Sequence, residues 1–412
     1  MSRRFRHRVG RRRYLAHALL GGLALTACGV TDPSLQPPGP KGPMVASGGG
    51  HSCALAISGQ TFCWGSAVAA GGGVLGEGVP PRLIVAPALV SITAGDSHSC
   101  GIDQAGNALC WGVNARGELG DGTNVSRTGA TPVVGGLHFS MLAGGDHFTC
   151  GLTRDGDAYC WGDGESGQLG DGVDSSGHRR RSPVRVVGGH KFTSIAVARR
   201  TCALDITGAA FCWGVERTRL GASIVAAQSA DSSCSTTYDM WVVHCATPTA
   251  LEGSRLFRAI SVGTWADCAV ELASVVYCWG SAQFGMIGDG SLGFGRSRAP
   301  VRISGGLSFA AVSAAATHVC ALALTGDAWC WGNNFSGFLG TGTTGGMSTV
   351  PVRVTGGIAF QTISAVAMHT CALASTNGVY CWGVNFIGEL GQPRTLPASA
   401  KPLLVPLRLG LR

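Results

Sequence analysis

Seven times along this chain, a cysteine is followed after nine residues by the tripeptide Cys-Trp-Gly. Successive units begin about 50 residues apart, and a period of that size marks a repeat architecture, because one unit alone cannot bury its apolar face. The seven cysteine pairs are, in chain order, Cys53 with Cys63, Cys100 with Cys110, Cys150 with Cys160, Cys202 with Cys212, Cys268 with Cys278, Cys320 with Cys330, and Cys371 with Cys381.

Each unit contains short apolar or alternating runs bounded by glycine or proline, a pattern typical of strands. In the sixth unit these runs lie at residues 300–303, 309–312, 318–322 and 328–332. Four strands in each of seven units predict an all-β protein, a seven-bladed β-propeller with four-stranded blades over residues 45–409. The strand that should precede residue 44 is missing, whereas an extra one follows at 402–407. We therefore expect residues 402–409 to complete blade one and close the ring.

The cysteines of each pair are expected to form a disulfide across a hairpin. Residues ten apart face each other when the turn is centred between them, at Cα separations within disulfide reach. The last residue of such a turn is left-handed, and it is glycine in five units, Asn377 in the seventh and Ser274 in the fifth, where the turn is less secure. Zinc ligands are usually two to four residues apart, so we expect no metal site. Paired cysteines persist in oxidising compartments.

The basic charge of the chain is concentrated at its start. Residues 1–27 hold seven arginines and no acid, and the remainder has 24 basic and 23 acidic residues. A nucleic-acid partner is therefore not expected. The arginines precede an apolar run over residues 15–27, which is typical of a signal peptide and too short to span a membrane.

The apolar run ends Leu-Thr-Ala-Cys28, which resembles the site at which bacterial lipoproteins are cleaved and lipidated. Of 17 cysteines, setting Cys28 aside leaves an even number, and Cys234 and Cys245 then form the eighth disulfide. The resemblance implies lipidation of Cys28 and a location in the bacterial cell envelope, at the outer membrane or cell surface. The prolines and glycines that follow predict a linker over residues 28–44.

The strings His-Ser/Thr-Cys and Asn-x-x-Gly-x-Leu-Gly, as at residues 114–120 and 385–391, resemble the regulator of chromosome condensation repeat family. The resemblance covers residues 45–409 and implies a seven-bladed propeller. The best-known activity of that family is nucleotide exchange on a small GTPase. We do not expect it here, because an exported, oxidised protein does not meet such a GTPase, and fold does not imply function.

Histidines stand two residues before the first cysteine in four units, as His51, His98, His318 and His369, and their recurrence indicates a structural role. Asp121, Asp171 and Asp289 fall in Gly-Asp-Gly turns, which favour aspartate for backbone reasons. We therefore expect no catalytic residue and no cofactor. Nucleophile elbows, zinc-protease helices and phosphate loops are not found in the sequence.

Departures from the repeat are the candidate binding sites. An insertion at residues 215–247 contains Tyr238 and Trp241, and long loops are often functional. Phe284, Phe335 and Phe386 lie in comparable loops of blades five to seven and form a second candidate, with packing inside the loops as the alternative. We expect a monomeric binding or scaffold module for an unknown protein or glycan partner, held at the membrane by its lipid anchor. The alternative is an envelope enzyme acting on polysaccharide or peptidoglycan.

Overall fold

Seven antiparallel sheets follow one another along the chain in the computed structural model. The structure describes residues 42–66, 68–69, 78–217, 234–236, 242–293 and 296–407. Each sheet is one blade, and its strands are hydrogen-bonded in chain order, except for an added strand at the edge of blade four.

The first four blades contain strands β1 to β17. Blade one contains β1 (Met44–Ser47), β2 (His51–Leu55), β3 (Thr61–Ser66) and β4 (Gly78–Leu83). Blade two contains β5 (Leu89–Ala94), β6 (His98–Asp103), β7 (Ala108–Gly112) and β8 (Arg127–Pro132). Blade three contains β9 (Phe139–Gly144), β10 (Phe148–Thr153), β11 (Ala158–Asp163) and β12 (Arg179–Arg185). Blade four contains β13 (Phe192–Val197), β14 (Arg200–Asp205), β15 (Ala210–Arg217), β16 (Cys234–Thr236) and β17 (Val242–Ala250).

The last three blades contain strands β18 to β29. Blade five contains β18 (Phe257–Val262), β19 (Ala266–Glu271), β20 (Val276–Ser281) and β21 (Arg296–Arg302), with a short 3-10 helix at Gln283–Gly285. Blade six contains β22 (Phe309–Ala314), β23 (His318–Ala323), β24 (Ala328–Asn333) and β25 (Met347–Arg353). Blade seven contains β26 (Phe360–Val366), β27 (His369–Ala374), β28 (Val379–Val384) and β29 (Ala398–Leu404).

The first strands of the blades form a closed ring. Each contacts the first strand of the next blade, and β26 contacts β1. Serine hydroxyls connect several of these neighbours: the Ser364 hydroxyl accepts from the backbone N–H of Ser47, and the Ser313 hydroxyl accepts from that of Ala365, both at 2.9 Å. The ring is therefore held by specific hydrogen bonds between adjacent strands as well as by packing.

The core lies between neighbouring blades, where all seven tryptophans of the Cys-Trp-Gly units are buried. Several of their indole N–H groups donate to a carbonyl in the preceding blade. These bonds are Trp64 to Glu389, Trp161 to Glu118, Trp331 to Met286 and Trp382 to Phe338, at 2.8–2.9 Å. A buried indole thus gains a partner and fixes the position of the next blade.

Eight disulfides are present, and the sequence predicted the pairing of all of them. Seven join the second and third strands of a blade, counted from the axis, at directly opposed positions. These seven are Cys53 with Cys63, Cys100 with Cys110, Cys150 with Cys160, Cys202 with Cys212, Cys268 with Cys278, Cys320 with Cys330, and Cys371 with Cys381. The eighth joins Cys234 with Cys245. The disulfide pairing predicted from the hairpin spacing is confirmed.

The hairpins that carry these disulfides are tightly built. All but one of the fourteen cysteines in the seven repeat pairs are buried, and Cys212 is the half-buried exception. The turn of blade five is less certain from the sequence because it has Ser274 in place of glycine. Ser274 nevertheless adopts the left-handed conformation (φ 67°) that glycine takes in five other blades. Every blade therefore has the same hairpin, whichever residue closes the turn.

The predicted closure of blade one by residues 402–409 is wrong for the described part of that segment. Blade one takes its fourth strand from its own unit, as β4, and β29 pairs with β28 inside blade seven. The run at residues 300–303, assigned in sequence to the sixth unit, likewise belongs to β21 of blade five up to Arg302. The C-terminal residues still reach blade one, because Val405 packs beside Val45 and Trp64. The ring therefore closes by side-chain packing and hydrogen bonds between blades one and seven, without a shared sheet.

Both described ends of the insertion at residues 215–247 form β-strands. β15 runs on to Arg217, β17 begins at Val242, and Cys234–Thr236 adds a fifth strand whose Cys234 faces Cys245. The interpretation of this segment as a loop is wrong for those residues. The disulfide between Cys234 and Cys245 fastens the added strand to the blade.

Chain direction defines two faces of the ring. The upper face carries the loops that follow the first and the third strand of each blade, such as residues 334–346 and 385–397. The lower face carries the turns that follow the second strand, and β1 begins there, at Met44.

Candidate functional site

Two positions in each blade meet the neighbouring blade deep in the ring. The first interface position lies two residues before the first cysteine, and the second lies directly before it. A histidine at the first position hydrogen-bonds the hydroxyl at the second position of the next blade. These pairs are His51–Ser99 (2.6 Å), His98–Thr149, His318–Thr370 and His369–Ser52 (2.8 Å each).

The direction of one bond follows from its surroundings. The Thr149 hydroxyl donates to the Glu118 carbonyl at 2.9 Å, so it accepts from Nε2 of His98. All four histidines are buried. Burial lowers the pKa of His51, His98 and His318 to about 3 and that of His369 to about 4. They are neutral at pH 7 and act as connectors between blades, which is the structural role that their recurrence predicted.

The histidine is replaced in blades three, four and five. In blade three the residue is Phe148, and the next blade keeps a hydroxyl, Thr201, which donates to the Gln168 carbonyl at 2.9 Å.

In blades four and five the partner is replaced as well. Arg200 of blade four forms an ion pair with Asp267 of blade five, and Asp267 is fully buried. Ala266 of blade five and Val319 of blade six are both apolar and belong to one buried cluster. Six of the seven interfaces therefore use three matched chemistries: imidazole with hydroxyl, guanidinium with carboxylate, and apolar with apolar.

The three turn aspartates make bonds within their own loops. Asp121 accepts from Thr123 and Arg127, and Asp289 accepts from Ser291. Asp171 accepts from His178 and pairs with Arg180. The structure thus gives each aspartate a local role, as the Gly-Asp-Gly pattern indicated.

One grouping of possible metal ligands occurs in the described residues. Sulfurs of Cys202 and Cys212 lie near a carboxylate oxygen of Asp267. The two sulfurs are bonded to each other, and metal binding requires thiolates, so this disulfide is not a ligand pair as it stands.

The three candidate phenylalanines have different surroundings. Phe284 lies one position later in its loop than the other two, has a φ of 60°, and packs against the core cluster between blades five and six. Phe335 is 63% exposed and Phe386 is 59% exposed, both on the upper face. Packing in the loop therefore accounts for Phe284, whereas Phe335 and Phe386 remain binding candidates.

Several sequence-based predictions concern residues outside the described ranges. These are the signal peptide, Cys28, most of the linker, Tyr238 and Trp241. Within the described ranges, no helix combines the length and apolar character needed to cross a membrane.

The sequence analysis missed further side chains around the two exposed phenylalanines. Met347, Met368 and Leu396 are exposed on the same face of blades six and seven. Arg394 donates from Nε to the Phe386 carbonyl at 3.0 Å. A comparison of equivalent positions across the repeats would have found Met347, because its counterpart in blade three, Arg179, is charged.

Comparison with known proteins gives consistent matches. The family model for the regulator of chromosome condensation (RCC1) repeat matches residues 89–118, 142–168 and 309–337, and a second model of that repeat matches 325–373. The Arabidopsis thaliana ultraviolet-B receptor UVR8 is 30% identical over 149 residues, 35% of this chain and 34% of that protein. The alignment thus spans about a third of that relative's length.

Solved structures match over most of the chain. Prp20p from Saccharomyces cerevisiae superimposes with a TM-score of 0.70 and 20% identity, covering 84% of this chain and 86% of that one. Human WBSCR16 gives a TM-score of 0.66 and 21% identity, covering 80% and 85%. At these identities the likeness concerns the fold. The matched residues therefore contain RCC1 repeats, and the described part of the chain has the seven-bladed propeller fold.

Proposed function

We propose that this protein is an extracytoplasmic, lipid-anchored propeller that serves as a binding or scaffold module for a partner at the bacterial cell envelope. The lipid is attached at Cys28, and the propeller presents its faces to a protein or glycan. Its eight disulfides are the observation that carries this proposal.

The disulfides support export because cytosolic thiols are kept reduced. They use 16 of the 17 cysteines, and the remaining one, Cys28, follows the apolar run of the leader. Every cysteine beyond the leader therefore has a partner, and the one at the end of the leader stands where a lipid would be attached.

The rigidity of the loops supports a binding role. Asn114, Asn334 and Asn385 each accept, through Oδ1, the backbone N–H of the leucine five residues later, at 3.0–3.1 Å. Side chains on such loops are held in place before a partner arrives, which lowers the entropy cost of binding. The related yeast Prp20p was described together with its binding to Gsp1p and histones, so a protein partner is compatible with the fold.

Lipidation is tested with the full chain and a Cys28→Ser variant in a bacterial host fed a radiolabelled or alkyne-tagged fatty acid. We expect label in the wild-type chain, none in the variant, and loss of the variant from the membrane fraction. Label that persists in Cys28→Ser, or a wild-type chain left in the cytoplasm with free thiols, would refute the anchor.

The binding role is tested by cross-linking in cells, with partners identified by mass spectrometry. A variant lacking residues 218–241, with Cys245→Ser to avoid a free thiol, tests whether the insertion contributes. Partners that are the same for the wild type and for reduced, unfolded protein would show that the propeller does not recognise them.

A further inference from the structure

The upper face of blades six and seven carries an apolar surface that the fold does not require. We call it the six–seven patch, and it consists of Phe335, Met347, Met368, Phe386 and Leu396, which are 38–63% exposed. Large exposed apolar surfaces on soluble proteins mark interaction sites, whereas single exposed side chains are ordinary.

Hydrogen bonds fix the backbone around the patch residues within each blade. Asn333 pairs with Met347 in the sheet, and its Oδ1 accepts the N–H of Phe335 at 2.8 Å. In blade seven, Asn385 donates from its side chain to the Leu396 carbonyl at 2.8 Å, directly before Phe386. The Met368 carbonyl accepts the N–H of Val384 in the same blade at 3.0 Å.

The two halves of the patch adjoin across the interface between the blades. The loop that carries Phe335 crosses onto the outer strand of blade seven, where the N–H of Gly342 donates to the Ala400 carbonyl at 2.8 Å. The Cβ that a side chain at Gly337 would have lies 2.4 Å from the Cα of Ala400, so the two backbones are in close contact. Strand β29 then leads back from Ala398 to Leu396. The two halves of the patch therefore lie on the same face of adjoining blades, and the loop of blade six contacts the outer strand of blade seven.

Blade three shows that these positions do not need apolar residues. Glu165 and Arg179 occupy the positions equivalent to Phe335 and Met347, and they form an exposed ion pair at 3.2 Å.

The loops of the two blades make the same first turn, although the loop of blade three is longer. The N–H of Gly167 donates to the Gly164 carbonyl in blade three, and that of Gly337 donates to the Asn334 carbonyl in blade six. The apolar pair of blade six is thus explained by something outside the blade.

The segment that carries the patch is positively charged, although Asp289 of blade five adjoins the outer strand of blade six, where the N–H of Gly290 donates to the Thr349 carbonyl at 2.9 Å. Between residues 329 and 407 the only carboxylate is Glu389, which is buried. Arg394 lies against Phe386, and Lys401 approaches Gly342, with its Cε 3.3 Å from the Cβ position of that glycine. Neither forms an ion pair within the described part of the chain. Carboxylates of a partner would find two cations beside an apolar surface.

We propose that the six–seven patch binds a protein segment that carries carboxylates next to apolar side chains. The two exposed phenylalanines lie on loops that asparagine hydrogen bonds hold in place, so they supply rigid anchors. Arg394 and Lys401 fix the orientation of the segment. A membrane surface would also suit aromatic and basic residues, and vesicle binding is therefore one outcome of the test below. This inference names the partner class for the binding role proposed above and rests on it.

A random twelve-residue peptide library displayed on phage is the probe, selected against the purified full chain with its disulfides intact. We expect enriched peptides that combine Asp or Glu with aromatic or aliphatic residues. Their synthetic versions are measured by fluorescence anisotropy at low and high salt, where weakening by salt reports the contribution of Arg394 and Lys401.

The informative variant is Phe335→Glu with Met347→Arg, which installs the ion pair of blade three and should fold. It should weaken binding at least about tenfold, as loss of a central anchor does. Leu324→Ser is the matched control, because Leu324 is 62% exposed in the same blade but on the lower face, and its binding should be unchanged. A melting curve and disulfide mapping establish that both variants are folded.

Three results would overturn the proposal. Peptides could be enriched without acidic residues, or none enriched at all. The double variant could bind as tightly as the wild type. Wild-type protein could sediment with vesicles of phosphatidylglycerol and phosphatidylethanolamine in a manner that the double variant loses, which would assign the patch to lipid. None of these results depends on Cys28, so a failure here is separable from a failure of the lipid anchor.

Discussion

The interface positions show how a residue and its neighbour in the next blade form one unit. An imidazole facing a hydroxyl needs no charge, whereas a guanidinium in the same place needs a carboxylate. The Arg200–Asp267 pair meets that requirement, with Asp267 fully buried. Breaking such a pair is costly, because the remaining charge is left in a poorly solvated site.

Arg200→Ala should lower the free energy of unfolding by about 3–5 kcal/mol, since the buried carboxylate of Asp267 loses its guanidinium. Arg200→Ala combined with Asp267→Val installs the apolar pair seen in Ala266 and Val319, and it should recover most of that loss. Urea unfolding under non-reducing conditions measures both. A double variant less stable than the single one would contradict the pairing.

The buried histidines predict a dependence of stability on pH. Their folded-state pKa values lie near 3 or 4, below the ordinary value of 6.5, so the unfolded chain binds more protons as the pH falls. Their stabilisation is complete above about pH 6.5 and is lost on acidification towards the folded pKa, by about 1.4 kcal/mol per pH unit for each histidine. Glu118 and Glu389, whose pKa values burial raises, oppose this trend.

The variant His318→Ala with Thr370→Val isolates one histidine. Its unfolding free energy should fall less steeply between pH 6 and pH 4.5 than that of the wild type. The difference in slope should be roughly the contribution of one histidine, about 1.4 kcal/mol per pH unit at most. The slope is the readout, because the absolute stability also changes with packing. An unchanged slope would mean that His318 is protonated in the folded state.

At the scale of the strand and turn, the disulfides differ in access. The cystines between second and third strands are almost entirely buried, whereas Cys234 and Cys245 are only partly buried at the blade edge. Thiol exchange requires an approach to the sulfur, so accessible disulfides react first.

Mild dithiothreitol treatment of the folded protein should therefore open the disulfide between Cys234 and Cys245 before any other. Differential alkylation followed by peptide mass mapping gives the order. The disulfide between Cys202 and Cys212 is the natural comparison, since it lies in the same blade and Cys202 is fully buried. Simultaneous opening of both would indicate that reduction proceeds through global unfolding.

The repeat spacing predicted the four-stranded blades and the disulfides because both follow from hairpin geometry alone. The repeat spacing did not predict which side chains of the loops are exposed to solvent. Phe284 looked equivalent to Phe335, yet a shift of one position places it against the core, and only the backbone path decides that. Likewise Ser274 holds a left-handed turn because the surrounding sheet fixes it: the N–H of Phe309 donates to the Ser274 carbonyl at 2.8 Å.

At the scale of the whole molecule, ring closure was the main error of the sequence analysis. The spare strand at the C terminus suggested exchange with blade one, but the sequence left open whether blade one could take its fourth strand from its own unit. The signal was nevertheless present in the sequence: Pro81 of β4 occupies the position held by Pro183, Pro300, Pro351 and Pro402 in other outer strands.

Truncation before Ala398 tests the closure. Because β29 pairs with β28, the truncated chain should lose hydrogen-exchange protection in Val379–Val384, while Thr61–Ser66 keeps its bonds to β4. Exchange measured by mass spectrometry on peptides from both strands, with the full chain as control, gives the answer. Greater loss in Thr61–Ser66 would favour strand exchange between the ends.

The matched interface positions also restrict how the repeat can be duplicated, deleted or reordered. Blades one, two and seven each carry a histidine at the first interface position and a hydroxyl, which bonds the histidine of the preceding blade, at the second. Any of the three could therefore follow another of them without a mismatch. Blade five has no such freedom, because it must follow a blade with arginine and precede one with an apolar residue. Moving it would bury Asp267 opposite a neutral side chain. The place of blade five in the ring is thus fixed by its contacts, because Asp267 requires the guanidinium of Arg200 in the preceding blade.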